Sequence, residues 1–406
     1  MNTFSLSLWQ VSRRPLQTLT NALVMGLGVG IVVLLLLGQE QFRDRMTRDA
    51  AGIDLVVGPS GSPMQLILSS VYHADIPIGN IPWEARNIIH REPAVKRTIP
   101  LALGDNYAGF RIVGTEHAYI HLYHAELRHG RLWEHSMEAV IGATVARQTG
   151  LGMSDQFEGR HGLGEGGPRH GDHPYKVVGV LDYTGSVLDR LILTPVQSVW
   201  KVHAGHDHGH DDHDHDHDSG NDRDKGDLTA ILVQYASPMA ATRLPRMIDT
   251  QTPWQAARPA HESARLFSML GPALGALKLF GAVLILASLL GVFALLYQSL
   301  QERRYDLAVI RAIGGGPGLI FRLTLAEGLW MVLAGLAVGL LTGHAAVGLI
   351  GLLSTEGQAM GLTGIHWANG QTMLVLGIMA AGLLVAMIPA WLAARTNVAR
   401  TLRRGY

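Results

Sequence analysis

Seven histidines and six aspartates share one low-complexity tract, HAGHDHGHDDHDHDHD. The histidines are His203, His206, His208, His210, His213, His215 and His217, interleaved with Asp207, Asp211, Asp212, Asp214, Asp216 and Asp218. Imidazole nitrogens and carboxylate oxygens are ligands for divalent transition metals, zinc first, with nickel, copper and cobalt also compatible. An alternating run offers many competing ligand sets, so no single tetrahedral site can be read from it. The expectation is a multivalent, promiscuous metal-collecting loop. Two plainer readings stay open, a solvated acidic linker and a pH-sensitive charge switch. Elsewhere His117, His121 and His124 stand at i, i+4 and i+7. A helix over residues 116–127 would align them on one face, either as a second metal site or as ordinary surface histidines. A glycine-rich loop, HGLGEGGPRHGDH, carries His161, His170 and His173 and could extend the metal-collecting surface.

Other chemistry is excluded by what the sequence lacks. There is no G-x-x-x-x-G-K-[ST] loop to cradle phosphates, no nucleophile elbow and no HExxH, so the chain is not expected to hydrolyse ATP alone. Formal net charge is zero, which removes the electrostatic basis for nucleic-acid binding. With no cysteine, neither disulfides nor thiolate metal sites can form.

The elements that carry these residues divide sharply by composition. Residues 1–18 set Leu6, Leu8, Trp9, Val11 and Leu16 beside Arg13, Arg14 and Gln17, which predicts an amphipathic interfacial helix. Residues 19–38 are apolar for about 20 positions, enough at 1.5 Å per residue to cross a core of roughly 30 Å. No small-residue cleavage site follows, since the chain reads Gly38-Gln39-Glu40, so this segment is expected to be an uncleaved anchor. Residues 40–265 hold no spanning run. Strand-like pieces at 53–57, 110–113, 139–141, 176–181 and 230–234 alternate with helix-like pieces at 82–90 and 116–127, which predicts an α+β domain.

A stalk is expected at 264–278 and a second span at 279–298, with Lys278 snorkelling to the interface between them. Residues 299–318 form a charged amphipathic helix and a glycine hinge. A third span covers 323–353, long enough to require a tilt or a break among Gly339, Gly343, Gly348 and Gly351. Glu327 on this span is expected to pair with Arg311 or Arg322. The loop 354–371 contains no Lys or Arg, the fourth span is 373–392, and the tail 393–406 is arginine-rich. The positive-inside rule then places both termini and the 299–318 segment in the cytoplasm, and the 40–265 domain outside. Arg43, Arg45 and Arg48 oppose that assignment, but Glu40, Asp44 and Asp49 interleave with them. On this topology none of the 20 histidines is cytoplasmic. The fold class is thus a polytopic α-helical membrane protein with four transmembrane helices and a large α+β extracytoplasmic domain inserted between helices 1 and 2.

A short basic amphipathic helix between two spans needs a reason to persist at the membrane surface. Docking of a soluble partner supplies one, with Glu302, Arg303, Arg304, Asp306 and Arg311 as the contacting residues. The pattern Arg304…Leu307-Ala308-Val309-Ile310-Arg311-Ala312-Ile313-Gly314, then Glu327-Gly328-Leu329, resembles the FtsX/MacB/LolC-type ABC transporter permeases, the mechanotransmission or type VII class. The C-terminal Pro389-Ala390…Ala393-Ala394-Arg395…Val398…Leu402-Arg403 is similar to that family's end signature, and Val140-Ile141-Gly142 and Tyr175–Val180 look like pieces of its periplasmic domain.

The resemblance implies a multi-pass protein of the bacterial inner membrane, a separate ABC ATPase subunit that binds ATP, and a homodimer or a paralogous permease as partner. Eight helices would leave little room for a substrate channel, so ATP-driven movement would be transmitted to the outer domain. With the histidine tract, the leading expectation is a permease serving zinc or another divalent metal, working with a periplasmic metal-binding protein or adaptor and with membrane lipids, but with no nucleic acid. Alternatives are extrusion of a drug, peptide or lipoprotein with an incidental tract, and a regulatory module that activates an envelope partner without transport.

Overall fold

The computed structural model describes Ser7 and residues 15–162, 173–204 and 226–395. The chain falls into two compact units, one formed by Met1–Phe42 with Leu270–Tyr406 and the other by Arg43–Met269.

The first unit is helical. Helices α1 (Pro15–Asp49), α8 (Pro259–Glu302), α10 (Pro317–Leu353) and α12 (Asn369–Ala394) are each long and apolar enough to cross a membrane. Two short helices, α9 (Arg304–Ala312) and α11 (Thr355–Met360), lie in the connections. Buried positions recur with helical spacing: Met25, Val29, Val33 and Leu37 on α1, and Ile285, Leu289, Val292 and Leu296 on α8.

Lipid is as apolar as leucine, so helices in it associate through close packing rather than through exclusion of water. Glycines provide that approach. A Cβ at Gly343 would lie 2.7 Å from Val33 Cγ1, and one at Gly28 would lie 2.8 Å from the Gly281 carbonyl. Polar pins add to that fit. Ser288 Oγ donates to Asn21 O and Asn21 Oδ1, each at 3.1 Å, and Lys278 Nζ donates to Gln39 Oε1 at 2.7 Å. Lys278 thus has a fixed partner on α1 as well as an apolar stem.

Of the tilt or break that the length of the third span called for, no break is present, because α10 runs unbroken for 37 residues. Its glycines receive neighbours: Gly339 and Gly343 face Val29 and Val33, and Gly351 faces Leu362. The stalk and second span are continuous, one 44-residue helix, α8, which runs through Pro272.

The second unit is built on an 11-stranded mixed sheet. Its strands are β1 (Leu55–Pro59), β2 (Val95–Tyr107), β3 (Phe110–Thr115), β4 (Leu127–Gly130), β5 (Glu138–Ile141), β6 (Gln156–Phe157), β7 (Arg160–His161), β8 (Tyr175–Leu181), β9 (Leu191–Pro195), β10 (Ala230–Tyr235) and β11 (Trp254–Ala257). The order is β11-β1-β10-β2-β3-β9-β5-β8-β4, with β6 paired to β8 and β7 to β2. The pairs β3–β9 and β5–β8 are parallel.

Strand β2, 13 residues long, joins the halves. Val95–Leu101 pairs with β10, and Ala102–Tyr107 pairs with β3 across a register shift between Leu103 and Asn106. Each half has its own core, one around Leu55, Ile89, Ile231 and Leu244, the other around Ile112, Ile141, Tyr175 and Ile192. Helices α2 (Pro63–Ser70), α3 (Glu84–His90), α4 (His117–Leu122), α5 (Ala143–Thr149), α6 (Val196–Ala204) and α7 (Ala240–Gln251) fill the connections.

Candidate coupling site

Helix α9 is set off by its ends. Upstream, one residue, Arg303, separates it from α8, and the Leu307 amide donates to the Arg303 carbonyl at 3.0 Å. Downstream, Gly314 has φ +101, the Gly314 amide donates to Arg311 O at 3.2 Å, and the Gly315 amide donates to Ile310 O at 2.9 Å. That pair of bonds, with a positive-φ glycine after the cap, is the Schellman arrangement. Gly316 then caps α10, and Pro317 occupies its first turn, where a missing N–H costs nothing. The glycine stretch is therefore a double cap that fixes the direction of α9 instead of a loose hinge.

Burial divides α9 into two faces. Ala308 is 1% exposed, and Leu307 packs against the cluster of Leu300, Ile320 and Ala393. On the other side Tyr305, Val309 and Ile310, with Ile313 just beyond the helix, remain exposed, Ile313 by 81%. At i, i+4, i+5 and i+8 these residues form an exposed apolar stripe.

The five charged residues predicted to dock a partner all fall within α9 or at its ends. Glu302 closes α8 and accepts from Gln298 Nε2 at 3.0 Å, Arg303 is the junction, Arg304 is exposed and Arg311 is half-buried. Asp306 lies within α9, and its side chain is outside the described residues. Sequence reasoning missed the apolar stripe. The signal was present: LAVIRAI holds more large apolar residues than one narrow packing face can use.

The histidine groupings fare differently. Helix α4 ends at Leu122, Tyr123 closes it, and His124 has φ +52, so His124 leaves the face shared by His117 and His121. The expected 116–127 helix and its three-histidine face are therefore not formed. Tyr123, where the helix closes, donates its hydroxyl to the Asp49 carbonyl. His117 instead bonds Trp133 O through Nε2 at 3.0 Å and lies against the Trp133 ring. Among the described residues no group of three His, Asp or Glu side chains stands close enough to hold a metal ion. His206 to His217 and His170 lie outside the described residues. His203 does not. It sits at the end of α6, with Nδ1 2.8 Å from Val199 O and Nε2 3.6 Å from Oδ1 of the buried Asp105.

Within the second unit, the last turns of α1 and the first turns of α8 are tied to the sheet domain by a buried polar joint. Arg190 donates to Asp49 Oδ2 at 2.9 Å and to Tyr72 O at 3.0 Å. Arg45 lies 3.3 Å from Asp49 Oδ1 and donates to the Gly185 and Ser186 carbonyls at 3.1 and 3.0 Å. Those carbonyls are held out by Asp189, which accepts from the Thr184 and Gly185 amides, each at 2.8 Å. On α8, Ser263 Oγ is 2.6 Å from Tyr72 Oη, and Phe267 lies under the Arg43 guanidinium. Burial raises the Asp49 carboxyl above its usual range against the pull of Arg190 and Arg45. The joint can hold two helix ends at fixed places on the domain. No sequence pattern announced it.

Four membrane-length helices, a mixed-sheet domain between the first two and a capped amphipathic helix between the second and third define a permease-type membrane subunit. A family model described as the MacB-like periplasmic core domain matches residues 18–248, more than half of the chain, and the FtsX-like permease C-terminal model matches residues 278–398. The chain belongs to the FtsX/MacB family of ABC transporter permeases. It is a multi-pass membrane subunit that works with a separate ABC ATPase and is not itself an enzyme.

Among solved structures, the periplasmic region of MacB from Actinobacillus actinomycetemcomitans is similar at 11% identity and a TM-score of 0.34, covering 54% of this chain and 95% of that one. The extracellular domain of the noncanonic ABC-type transporter YknZ from Gram-positive bacteria is similar at 16% identity and a TM-score of 0.30, covering 51% of this chain and 99% of that one. No curated protein matches the chain.

Proposed function

We propose that this permease works by mechanotransmission and serves divalent-metal homeostasis, zinc foremost, in the bacterial envelope. Helix α9 would lie on the cytoplasmic side, and the domain of the second unit would lie in the periplasm. The observation that carries the coupling half of this reading is the exposed stripe Tyr305, Val309, Ile310 and Ile313 on a helix closed by a Schellman cap. A capped helix moves as a body, and an apolar stripe ringed by Glu302, Arg303, Arg304 and Arg311 suits a groove on a soluble ATPase. Movement imposed there would pass along α8, which at about 1.5 Å per residue extends well beyond a bilayer core of roughly 30 Å.

The metal half rests on the His/Asp tract, supported by the His203–Asp105 pair at its root. The metal is cargo or signal in this reading, collected by the tract and not held in a preformed pocket.

Two experiments test the halves separately. Val309→Asp with Ile313→Asp should abolish co-purification with the cognate ATPase while the permease stays folded. Undiminished ATPase binding would remove α9 as the dock. Zinc titration of the full chain by calorimetry, with and without residues 203–218, should show several bound ions lost with the tract. Equal binding by the two proteins would end the metal reading and leave an FtsX/MacB permease with a different cargo.

A further inference from the structure

The connection between α10 and α12 carries little charge and a few large apolar residues among polar ones. Residues 354–371 contain no Lys or Arg, and only Glu356 and His366 are ionisable. After α11 the chain does not run outward but folds back along α10. A Cβ on Gly348 would lie 3.7 Å from Gly364 Cα, and one on Gly351 would meet the Leu362 carbonyl. The His344 ring reaches the Gly364 carbonyl at 2.6 Å through Nδ1. From Leu353 back to the level of His344–Gly348 is a return of about 10 Å at roughly 1.5 Å per residue.

Part of the backbone of this returning segment is paired with protein groups. The Thr363 amide donates to Gln41 Oε1 at 2.8 Å, and the Thr363 carbonyl accepts from Gln41 Nε2 at 3.0 Å. The Leu362 amide donates to Gly357 O at 3.1 Å and the Asn369 amide to Glu40 Oε2 at 3.0 Å. The Ala368 amide donates to Gln371 Oε1 at 3.1 Å, and Gln371 Nε2 is 3.2 Å from His344 Nε2. Non-helical backbone survives at full membrane depth only where protein satisfies it, and the Ile365, His366 and Trp367 amides, with no protein partner among the described residues, need the water of the headgroup boundary.

The segment is amphipathic. Thr363, His366 and Asn369 are exposed, and so are Leu352, Leu353, Ile365, Trp367 and Met373, Ile365 by 96% and Leu353 by 78%. Leu349 and Ile350 on α10 and Leu376 on α12 are exposed as well. We infer that the α10–α12 connection is a re-entrant cap seated at the headgroup boundary of the adjoining leaflet, with the upper acyl chains as the partner of Ile365 and Leu353 and with Trp367 at the boundary itself. In the orientation proposed above this is the outer leaflet. The same segment is pinned to the end of α1 by Glu40 and Gln41, so lipid contact at the cap bears on the helix that leads into the second unit.

The natural absence of cysteine makes the test direct. Ile365→Cys and, separately, Leu353→Cys would be nitroxide-labelled in the full chain in phosphatidylcholine–phosphatidylglycerol nanodiscs. Collision rates with oxygen and with a water-soluble nickel chelate would then be compared. Leu341→Cys, 71% exposed within α10, supplies the lipid reference, and Met239→Cys, 78% exposed in the second unit, supplies the water reference. The oxygen-to-nickel ratio at both cap positions should fall between the two references and exceed Met239→Cys several-fold. Ratios equal to Met239→Cys would overturn the inference in favour of a solvated loop. Low collision with both reagents would overturn it in favour of a protein surface, such as a second copy, covering the cap.

Discussion

The two units solve the same problem, holding long elements in register, by opposite means. Between the spanning helices, side chains are removed. Glycine at positions 28, 281, 339 and 343 brings backbones within contact of a neighbour, and polar pins such as Asn21–Ser288, Lys278–Gln39 and the bonds of Glu40 and Gln41 add to that fit. In the second unit, side chains are added. Two aliphatic cores face a mixed sheet, and the helix ends are secured by a carboxylate shared between Arg45 and Arg190. The difference follows from solvent. Water drives aliphatic burial and makes paired charges affordable at its boundary, whereas lipid offers no such drive and rewards only close fit.

If that contrast holds, the largest effect of a single substitution should come from the charged joint. Arg190→Met removes the donor to both Asp49 Oδ2 and Tyr72 O and leaves a nearly fully buried carboxylate with one cation fewer. Breaking a buried pair from one side costs about 3–5 kcal/mol, which urea unfolding followed by tryptophan fluorescence would register. Arg45→Met, Asp49→Asn and Arg190→Met together should recover part of the loss, because none of the joint's three charges is then left unpaired. A triple variant as unstable as the single one would mean the joint acts through packing alone.

The glycine contacts come next. Gly339→Ala places a methyl where Val29 Cγ1 stands 2.7 Å away, whereas Gly377→Ala meets nothing within 4 Å. Overpacking of this kind costs about 1–3 kcal/mol. The thermal midpoint of the detergent-solubilised chain should therefore fall for Gly339→Ala and stay level or rise slightly for Gly377→Ala. Equal midpoints would show that glycine content, and not glycine position, sets this interface.

The sequence reveals what depends on composition and short-range spacing. Four apolar runs of spanning length all become helices, and strand-like runs at 110–113, 139–141, 176–181 and 230–234 fall within β3, β5, β8 and β10. What stays hidden depends on partners distant in the chain. The pairing of β1 with β10 joins residues such as Leu55 and Val233, and nothing local announces it. The glycines of α10 suggest breaks when read alone, and become contact points once Val29, Val33 and Leu362 are beside them. The spacing of His117, His121 and His124 fits a helix, but that helix closes first at Tyr123, whose hydroxyl bonds the end of α1. At the coupling site the charged residues were legible as charges. The stripe of Tyr305, Val309, Ile310 and Ile313 was not, because periodicity cannot say which of two apolar faces the bundle will bury.

The smallest expected effect is a pH dependence confined to the second unit. His73 lies beside the joint with φ +51, its Nε2 3.1 Å from Tyr119 Oη, while its Nδ1 is buried with no hydrogen-bond partner. Burial, with Arg111 and Arg190 nearby, holds this imidazole well below its ordinary 6.5. The folded state therefore refuses a proton that the unfolded chain accepts. Above about pH 6.5 both states are neutral at this residue and it makes no pH-dependent contribution; as pH falls below that value, the unfolded state gains protons first and stability declines toward the folded value. His73→Asn removes the titration and keeps a residue type that tolerates left-handed backbone. Thermal unfolding of the full chain between pH 7.5 and 5.5 should show a steeper fall for the native protein than for His73→Asn, with the spanning helices unaffected in both. Parallel curves would place the acid sensitivity elsewhere in the domain and leave His73 a neutral hydrogen-bond partner of Tyr119 and nothing more.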